Sequence, residues 1–221
     1  MMKVEIWSDF ICPKSYLGRQ RFLEAVDQFP YRKHVVIESK SYLLNRHGNR
    51  KQIENYLNHA TSSDNDQYAR ALRIKNDTLN QPNTLTAHRL VHFAKTKAKD
   101  LQFVDKIFHA HFVEQKLIDD SKTLLSIAHN CGFSFEEVES ILMTSKYRRQ
   151  VDIDQDEADQ MGVAELPFIV INEMYAVLGT YSVMEFLNIL TDIWEEIKDQ
   201  PRYKLCKTKA QTSFCTGDHC E

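Results

Sequence analysis

The residues best placed to do chemistry lie in Asp9-Phe10-Ile11-Cys12-Pro13-Lys14-Ser15-Tyr16-Leu17-Gly18. Pro13 suits the first position of a helix, which leaves Cys12 as its N-cap. The first turn of a helix carries unpaired N–H groups and a partial positive charge. A thiol placed there loses its proton more readily, because those groups stabilise the thiolate. Lys14 adds a positive charge nearby. The expectation is a Cys12 with a depressed pKa and a thiolate nucleophile near neutral pH. The bland alternative is a buried structural cysteine; polar Lys14 and Ser15 at the helix start weigh against it.

Two elements must position that thiol. Val4 and Ile6 alternate with Lys3 and Glu5, the period-2 mark of a strand. The helix behind Cys12 carries Tyr16, Leu17, Phe22, Leu23, Val26 and Phe29 near a 3.6-residue stripe, and Pro30 stops it. His34 to Ser39 is a β-branched run that reads as a second strand. Strand–helix–strand favours a parallel pair with a right-handed crossover.

From about residue 45 to 146 the strand signal is gone. Helical faces are expected over Gln52 to Ala60, Asp66 to Lys75, from Asn83 or Thr84 to about Lys97, from Asp100 through Phe112, and around Leu124 to Ala128 with Gly132 at C′. Ser134 and Glu137 make a capping-box pattern. Residues 147–161 read as a polar helix closed by Gly162. Leu166 to Ile171 is a strand beginning with Pro167, Asn172-Glu173 is a turn, and Met174 to Leu178 returns. Ser182 and Glu185 start a last amphipathic helix. The tail after Pro201 is polar and basic and holds Cys206, Cys215 and Cys220. There is no internal repeat. The order suggests an α/β assembly, with a mostly parallel sheet, an antiparallel hairpin edge and helices on both faces.

Composition narrows the function classes. Hydrophobic residues make up 43% and charged residues 27%, the balance of a folded chain. A net charge of −3 gives no basic excess for nucleic acid. No run approaches the roughly 18 apolar residues of a membrane span. The first residues have no apolar h-region, so a cytoplasmic location follows if Met1 is the start; a mature exported chain is the alternative. Five cysteines, an odd number, cannot all pair within one chain.

Other candidates weigh less. His88 and His92 are spaced i, i+4, but without a HExxH pattern they read as solvated or structural histidines. His109 and His111 do not share a helix face. Cys206, Cys215, His219 and Cys220 have zinc-ligand chemistry without a strong zinc spacing, so no metal is expected. Asp9 reads equally as an acid–base aid or a loop cap. Cys131 reads as a packed helix-end cysteine, and Trp7 as a core residue or a wall of the site.

The chain resembles the DsbA family of thioredoxin-fold proteins, and within it the FrnE-like branch. Four stretches carry this: residues 9–18, where the branch usually has Cys-Pro-x-Cys; Asn83-Thr84-Leu85-Thr86-Ala87-His88-Arg89-Leu90; Gly162 to Ile171, the family's proline loop and strand; and Cys215 to Cys220, similar to a C-terminal cysteine pair in some members. The resemblance implies a thioredoxin fold with an inserted α-helical subdomain. Residues 1–44 and 147–200 would form the thioredoxin-like part, 45–146 the insertion and 201–221 the tail. It implies thiol–disulfide oxidoreductase or isomerase activity, with Cys12 as nucleophile and Ser15 and Pro167 beside it. Pro13, Lys14 and Leu166 would contact the substrate. By the same resemblance Leu166-Pro167 is a cis peptide that holds a substrate backbone, whereas residue type alone reads Pro167 as a strand-start proline.

One departure bears on the mechanism. Ser15 stands where a dithiol enzyme has its second cysteine, so no disulfide closes within the motif. Cys12 would act as a monothiol, with Ser15 donating a hydrogen bond to its thiolate. Four explanations stand side by side: a natural monothiol exchanger or isomerase; an engineered substitution that traps an intermediate; resolving thiols from Cys215 and Cys220; or kinship with the glutathione-using kappa-class transferases and hydroxychromene carboxylate isomerases. Those relatives resemble this region with Ser-Pro-x-Ser, a serine standing at the position of Cys12. The expected substrates are polypeptides or low-molecular-weight thiols and disulfides. No cofactor is expected to be tightly bound, and glutathione is the implied co-substrate. A redox-inactive binding or adapter protein is the competing reading, and a glutathione-dependent small-molecule isomerase or transferase a third. The sequence leaves the oligomeric state open.

Overall fold

The computed structural model describes residues 1–45 and 82–199. The helices expected over 52–60 and 66–75, and the tail with Cys206, Cys215, His219 and Cys220, lie outside the described residues. Among those described, four strands and seven α-helices follow in the order β1 (Met2–Ser8), α1 (Pro13–Gln28), β2 (Val35–Ser41), α2 (Leu85–Lys95), α3 (Asp100–Phe112), α4 (Ser121–Asn130), α5 (Phe135–Leu142), α6 (Arg148–Gln160), β3 (Phe168–Ile171), β4 (Tyr175–Leu178) and α7 (Val183–Ile197).

The sheet order is β2-β1-β3-β4. β1 and β2 are parallel, with Met2 opposite Val35 and Ser8 opposite Ser41. β3 runs antiparallel to both β1 and β4. The expectation of a mostly parallel sheet is therefore corrected: among the described residues only the β1–β2 pair is parallel. The reversal of β3 depends on how the chain returns from the helical layer, which local residue patterns do not encode. Asn172 and Glu173 turn the hairpin with φ of 52° and 58°, the left-handed pair that suits a tight two-residue turn. The Asn172 carboxamide also accepts a hydrogen bond from Lys3 N–H at 2.8 Å, fixing the hairpin to the start of β1.

β1 is buried on both faces. Val4 and Ile6 pack with Phe22 and Ala25 of α1 and Phe186 and Leu190 of α7. On the other face Trp7 packs with Phe168, Leu166, Cys12 and Ala158 of α6. Of the polar residues in the β1 alternation, Lys3 is exposed and Glu5 is buried. Glu5 contacts Lys3 and Lys40, and the Trp7 indole N–H donates to the Asp154 carbonyl at 2.9 Å.

A separate apolar core unites α2 to α5, and Phe10 and Tyr16 beside the Cys12 turn belong to it. Tyr16 stacks on Phe108 and Phe112. Arg19, buried on α1, donates to the Asp105 carboxylate at 3.0 Å and the Leu101 carbonyl at 3.2 Å, tying α1 to α3. Local caps follow their sequence signals. Ser182 and Glu185 cap each other reciprocally, and Ser134 Oγ accepts from Glu137 N–H. Gly132 at φ 79° lets Phe133 N–H return to the Ala128 carbonyl and Gly132 N–H to that of His129, the double bond of a Schellman end. Cys131 is the buried C-cap there, and burial pushes its thiol pKa up.

Candidate active site

Cys12 is the N-cap of α1 and Pro13 the first helical residue. The Cys12 turn closes by a hydrogen bond from Cys12 N–H to the Asp9 carbonyl at 3.1 Å. Ser15 N–H donates to Cys12 Sγ at 3.3 Å, so a first-turn N–H of the helix does point at the sulfur. The expected hydroxyl donation differs from what is found. Ser15 Oγ is buried and has no hydrogen-bond partner among the described residues. An unsatisfied buried hydroxyl costs about 1–3 kcal/mol.

Two further expectations change. Cys12 is 0% exposed, enclosed by Trp7, Leu166 and Phe168 with Tyr42, Leu44 and Val163 alongside. The polar neighbours Lys14 and Ser15 misled here, because the wall over Cys12 comes from β1, the segment after β2 and the distant stretch from α6 to β3. Lys14, expected to lend its charge to the thiol, is ion-paired with Glu165 at 2.9 Å. Much of its field at Cys12 is thereby offset.

The loop before β3 completes the site. Leu166-Pro167 is cis, and Gly179 N–H donates to the Pro167 carbonyl at 2.9 Å. Gly18 lets α1 approach this loop: a Cβ there would lie 2.6 Å from Pro167 Cγ. Glu165 was missed in the sequence; its signal was its place next to the Leu-Pro pair, one residue from the loop that meets the Cys12 helix.

The segment leaving β2 frames the other side. Ser41 N–H donates to Asp154 Oδ2 at 2.8 Å, Leu43 N–H to Gln155 Oε1 at 2.7 Å and Leu44 N–H to Asp9 Oδ2 at 2.7 Å. Asp9 is thus a loop cap, fully buried. The helix read as merely polar, α6, sends Asp154 and Gln155 inward between Val151 and Ala158. His88 and His92 are both buried rather than solvated. His92 Nε2 lies 3.1 Å from Asp154 Oδ2 and 3.1 Å from Ser41 Oγ. Serine and carboxylate share one ring nitrogen, so this is no nucleophilic triad. Asp154 also contacts Lys40 at 3.2 Å. Burial raises its carboxyl pKa, but His92, Lys95 and the Ser41 N–H outweigh that and hold it below the usual range. Lys40 is held above the usual lysine value: burial works against its charge, and Glu157 and Asp154 prevail. Next along α2, Arg89 donates to the carbonyls of Lys146, Ile141 and Thr144, closing the end of α5.

A cavity of about 580 Å³ lies along α1, α3 and α4, with Tyr16, Gln20, Asp105, Lys106 and His109 in its wall; neither Cys12 nor Pro167 lines it. No helix among the described residues is long and apolar enough to cross a membrane.

The model of the DSBA-like thioredoxin domain matches residues 3–191. No curated protein matches the chain. Among solved structures, a probable DsbA oxidoreductase from Streptomyces coelicolor is similar at 26% identity and a TM-score of 0.76, covering 99% of this chain and 100% of that one. A 2-hydroxychromene-2-carboxylate isomerase shares the fold at 16% identity and a TM-score of 0.66, over 90% of this chain and 97% of that one. The cytosolic disulfide reductase DsbM from Pseudomonas aeruginosa does so at 15% identity and 0.60, over 90% and 98%. The chain belongs to the DsbA-like family of thioredoxin-fold proteins.

Proposed function

We propose that the protein is a monothiol thiol–disulfide oxidoreductase or isomerase of the FrnE-like branch, acting through Cys12. The observation that carries this is the Cys12 sulfur at the N-terminus of α1, accepting the Ser15 N–H, in one buried cluster with Leu166 of the cis-proline loop. The thiolate attacks one sulfur of a disulfide, a Cys12 mixed disulfide forms, and the other sulfur leaves as a thiolate that takes a proton from water. Ser15 provides no second thiol. The mixed disulfide is released by a thiol from outside the motif, with glutathione as co-substrate or Cys215 and Cys220 of the tail as the resolving pair. Pro13, Lys14 and Leu166 border the substrate, and Pro167 presents the loop backbone to it. Polypeptides and low-molecular-weight disulfides are the substrate classes. No tightly bound cofactor enters this scheme. Support for glutathione comes from DsbM, a disulfide reductase also solved with GSH. Its cytosolic setting supports a cytoplasmic place for this chain. The division into a thioredoxin-like part (1–44 and 147–200) and a helical insertion (45–146) is proposed on the same footing.

The full burial of Cys12 favours one competing reading, a binding or adapter member that keeps the fold without turnover. Exchange with glutathione disulfide, measured for the protein and for Cys12→Ala, separates the two. Loss of exchange in the variant is expected; an unchanged rate overturns the enzymatic reading and leaves the adapter.

A further inference from the structure

A thiol walled off from water raises a question about its proton. Ionising Cys12 inside an apolar cluster requires a nearby group to receive it, because an uncompensated buried charge is costly. Besides the Ser15 hydroxyl, two buried polar atoms of ionisable side chains beside the Cys12 turn are unspent. Asp9 Oδ1 and His88 Nε2 lie 3.6 Å apart, on residues 0% and 2% exposed. Neither atom has a hydrogen-bond partner among the described residues. The other Asp9 oxygen holds Leu44 N–H, so the carboxylate is fixed in place. The His88 ring is held by Phe10, centroids 4.6 Å apart, and Phe10 in turn by Phe108. Asp9 stands in the same turn as the nucleophile, its backbone carbonyl accepting Cys12 N–H.

Among the described residues, few titratable groups surround this pair. The segment after β2 brings Tyr42, whose hydroxyl pKa is raised by burial first and then by Asp159 and Asp9. α1 brings Cys12 and Ser15. α2 brings His92 one turn on, already committed to Asp154 of α6. Lys14 is turned toward Glu165.

We propose that Asp9 and His88 are the acid–base couple of Cys12, holding between them the proton that the buried thiol gives up. This rests on the thiol-exchange reading above. The Cys12 S–H bond breaks and its proton passes to the Asp9–His88 couple. The sulfur attacks the disulfide substrate, which is the oxidant. A Cys12–S–S–R bond forms as the substrate S–S bond breaks, and the leaving thiolate is protonated by water. When an outside thiolate attacks the mixed disulfide, Cys12 leaves as a thiolate and takes its proton back.

The test is the pH profile of Cys12 alkylation by iodoacetamide, read by mass spectrometry of the Cys12 peptide, in the full chain and in Asp9→Asn, His88→Gln and the double variant. Asn keeps an acceptor for Leu44 N–H. Each single change is expected to slow alkylation at pH 7 by about a hundredfold, the low side of general-base contributions. The profile should change shape in the same way in both, and the double variant should lose no more than either single. An unchanged or faster rate, a profile of unaltered shape, or losses that multiply overturn the proposal. Should a variant not fold, the protein itself still decides. The His88 imidazole signals are titrated by NMR before and after Cys12 is capped with methyl methanethiosulfonate. A moved midpoint is expected, and an unmoved one overturns the proposal. Cys12 that accepts this cap yet ignores every disulfide defeats the exchange reading alone.

Discussion

One turn apart on α2, His88 and His92 each face a buried carboxylate, and the two pairs are built differently. His92 meets Asp154 at 3.1 Å, and Ser41, Lys40 and the Ser41 N–H satisfy what remains. His88 and Asp9 stand 3.6 Å apart, each with an atom unpartnered among the described residues. The first pair lies between β2 and α6 and locks the segment leaving the sheet. The second lies behind the Cys12 turn. A satisfied network rigidifies, whereas an unsatisfied buried pair is a cost that folding alone does not explain. The difference assigns scaffolding to one pair and proton handling to the other.

The largest effect should come from breaking the satisfied pair. Asp154→Ala removes the buried carboxylate shared by His92, the Ser41 N–H and Lys40, leaving Lys40 only Glu5 and Glu157, a loss of about 3–5 kcal/mol, read by denaturant unfolding. The Cys12 alkylation profile of the folded variant should keep its shape; a changed shape would erase the contrast between the two pairs. Acid sharpens the point. The Asp154 carboxyl is held below its ordinary value, so its contribution is present above the unfolded pKa of roughly 4 and fades as pH falls through the folded value. Stability curves of the protein and Asp154→Asn should therefore converge in strong acid and separate near neutrality.

Next in size is Gly18→Ala. Its Cβ would meet Pro167 at 2.6 Å, so the proline loop must shift, at a cost of roughly 1–3 kcal/mol, and Cys12 should become more accessible to alkylation. Unchanged stability would show that this contact is loose. Ser15→Cys tests the missing thiol. Its product should form a reversible disulfide with Cys12, seen as loss of two free thiols on mild oxidation and recovered by reduction. The smallest effect is Glu165→Gln, which frees Lys14. Alkylation of Cys12 should rise a few-fold, in keeping with the modest worth of a half-exposed ion pair, and added salt should mimic the change in the unmodified protein.

What could be seen in the sequence was local. Cys12 before Pro13, Ser182 before Glu185 and Gly132 after a helical face are signals within a few residues, and the elements start and stop where those residues dictate. The meeting of the proline loop with the Cys12 helix came from resemblance rather than residue spacing. The burial of Cys12, the Lys14–Glu165 pair and the inward turn of Asp154 and Gln155 join residues more than 100 positions apart. No periodicity announces them, except that Asp154 and Gln155 fall on the same stripe as Val151 and Ala158. His88 and His92 looked alike in sequence because their carboxylates, Asp9 and Asp154, come from different elements.

The most direct measurement is a non-reducing peptide map by mass spectrometry after mild oxidation with glutathione disulfide. Cys12 is expected to be glutathionylated, or linked to Cys215 or Cys220, with no such adduct when the protein is unfolded and capped beforehand. A Cys12 that stays an unreacted thiol while other cysteines oxidise would contradict it.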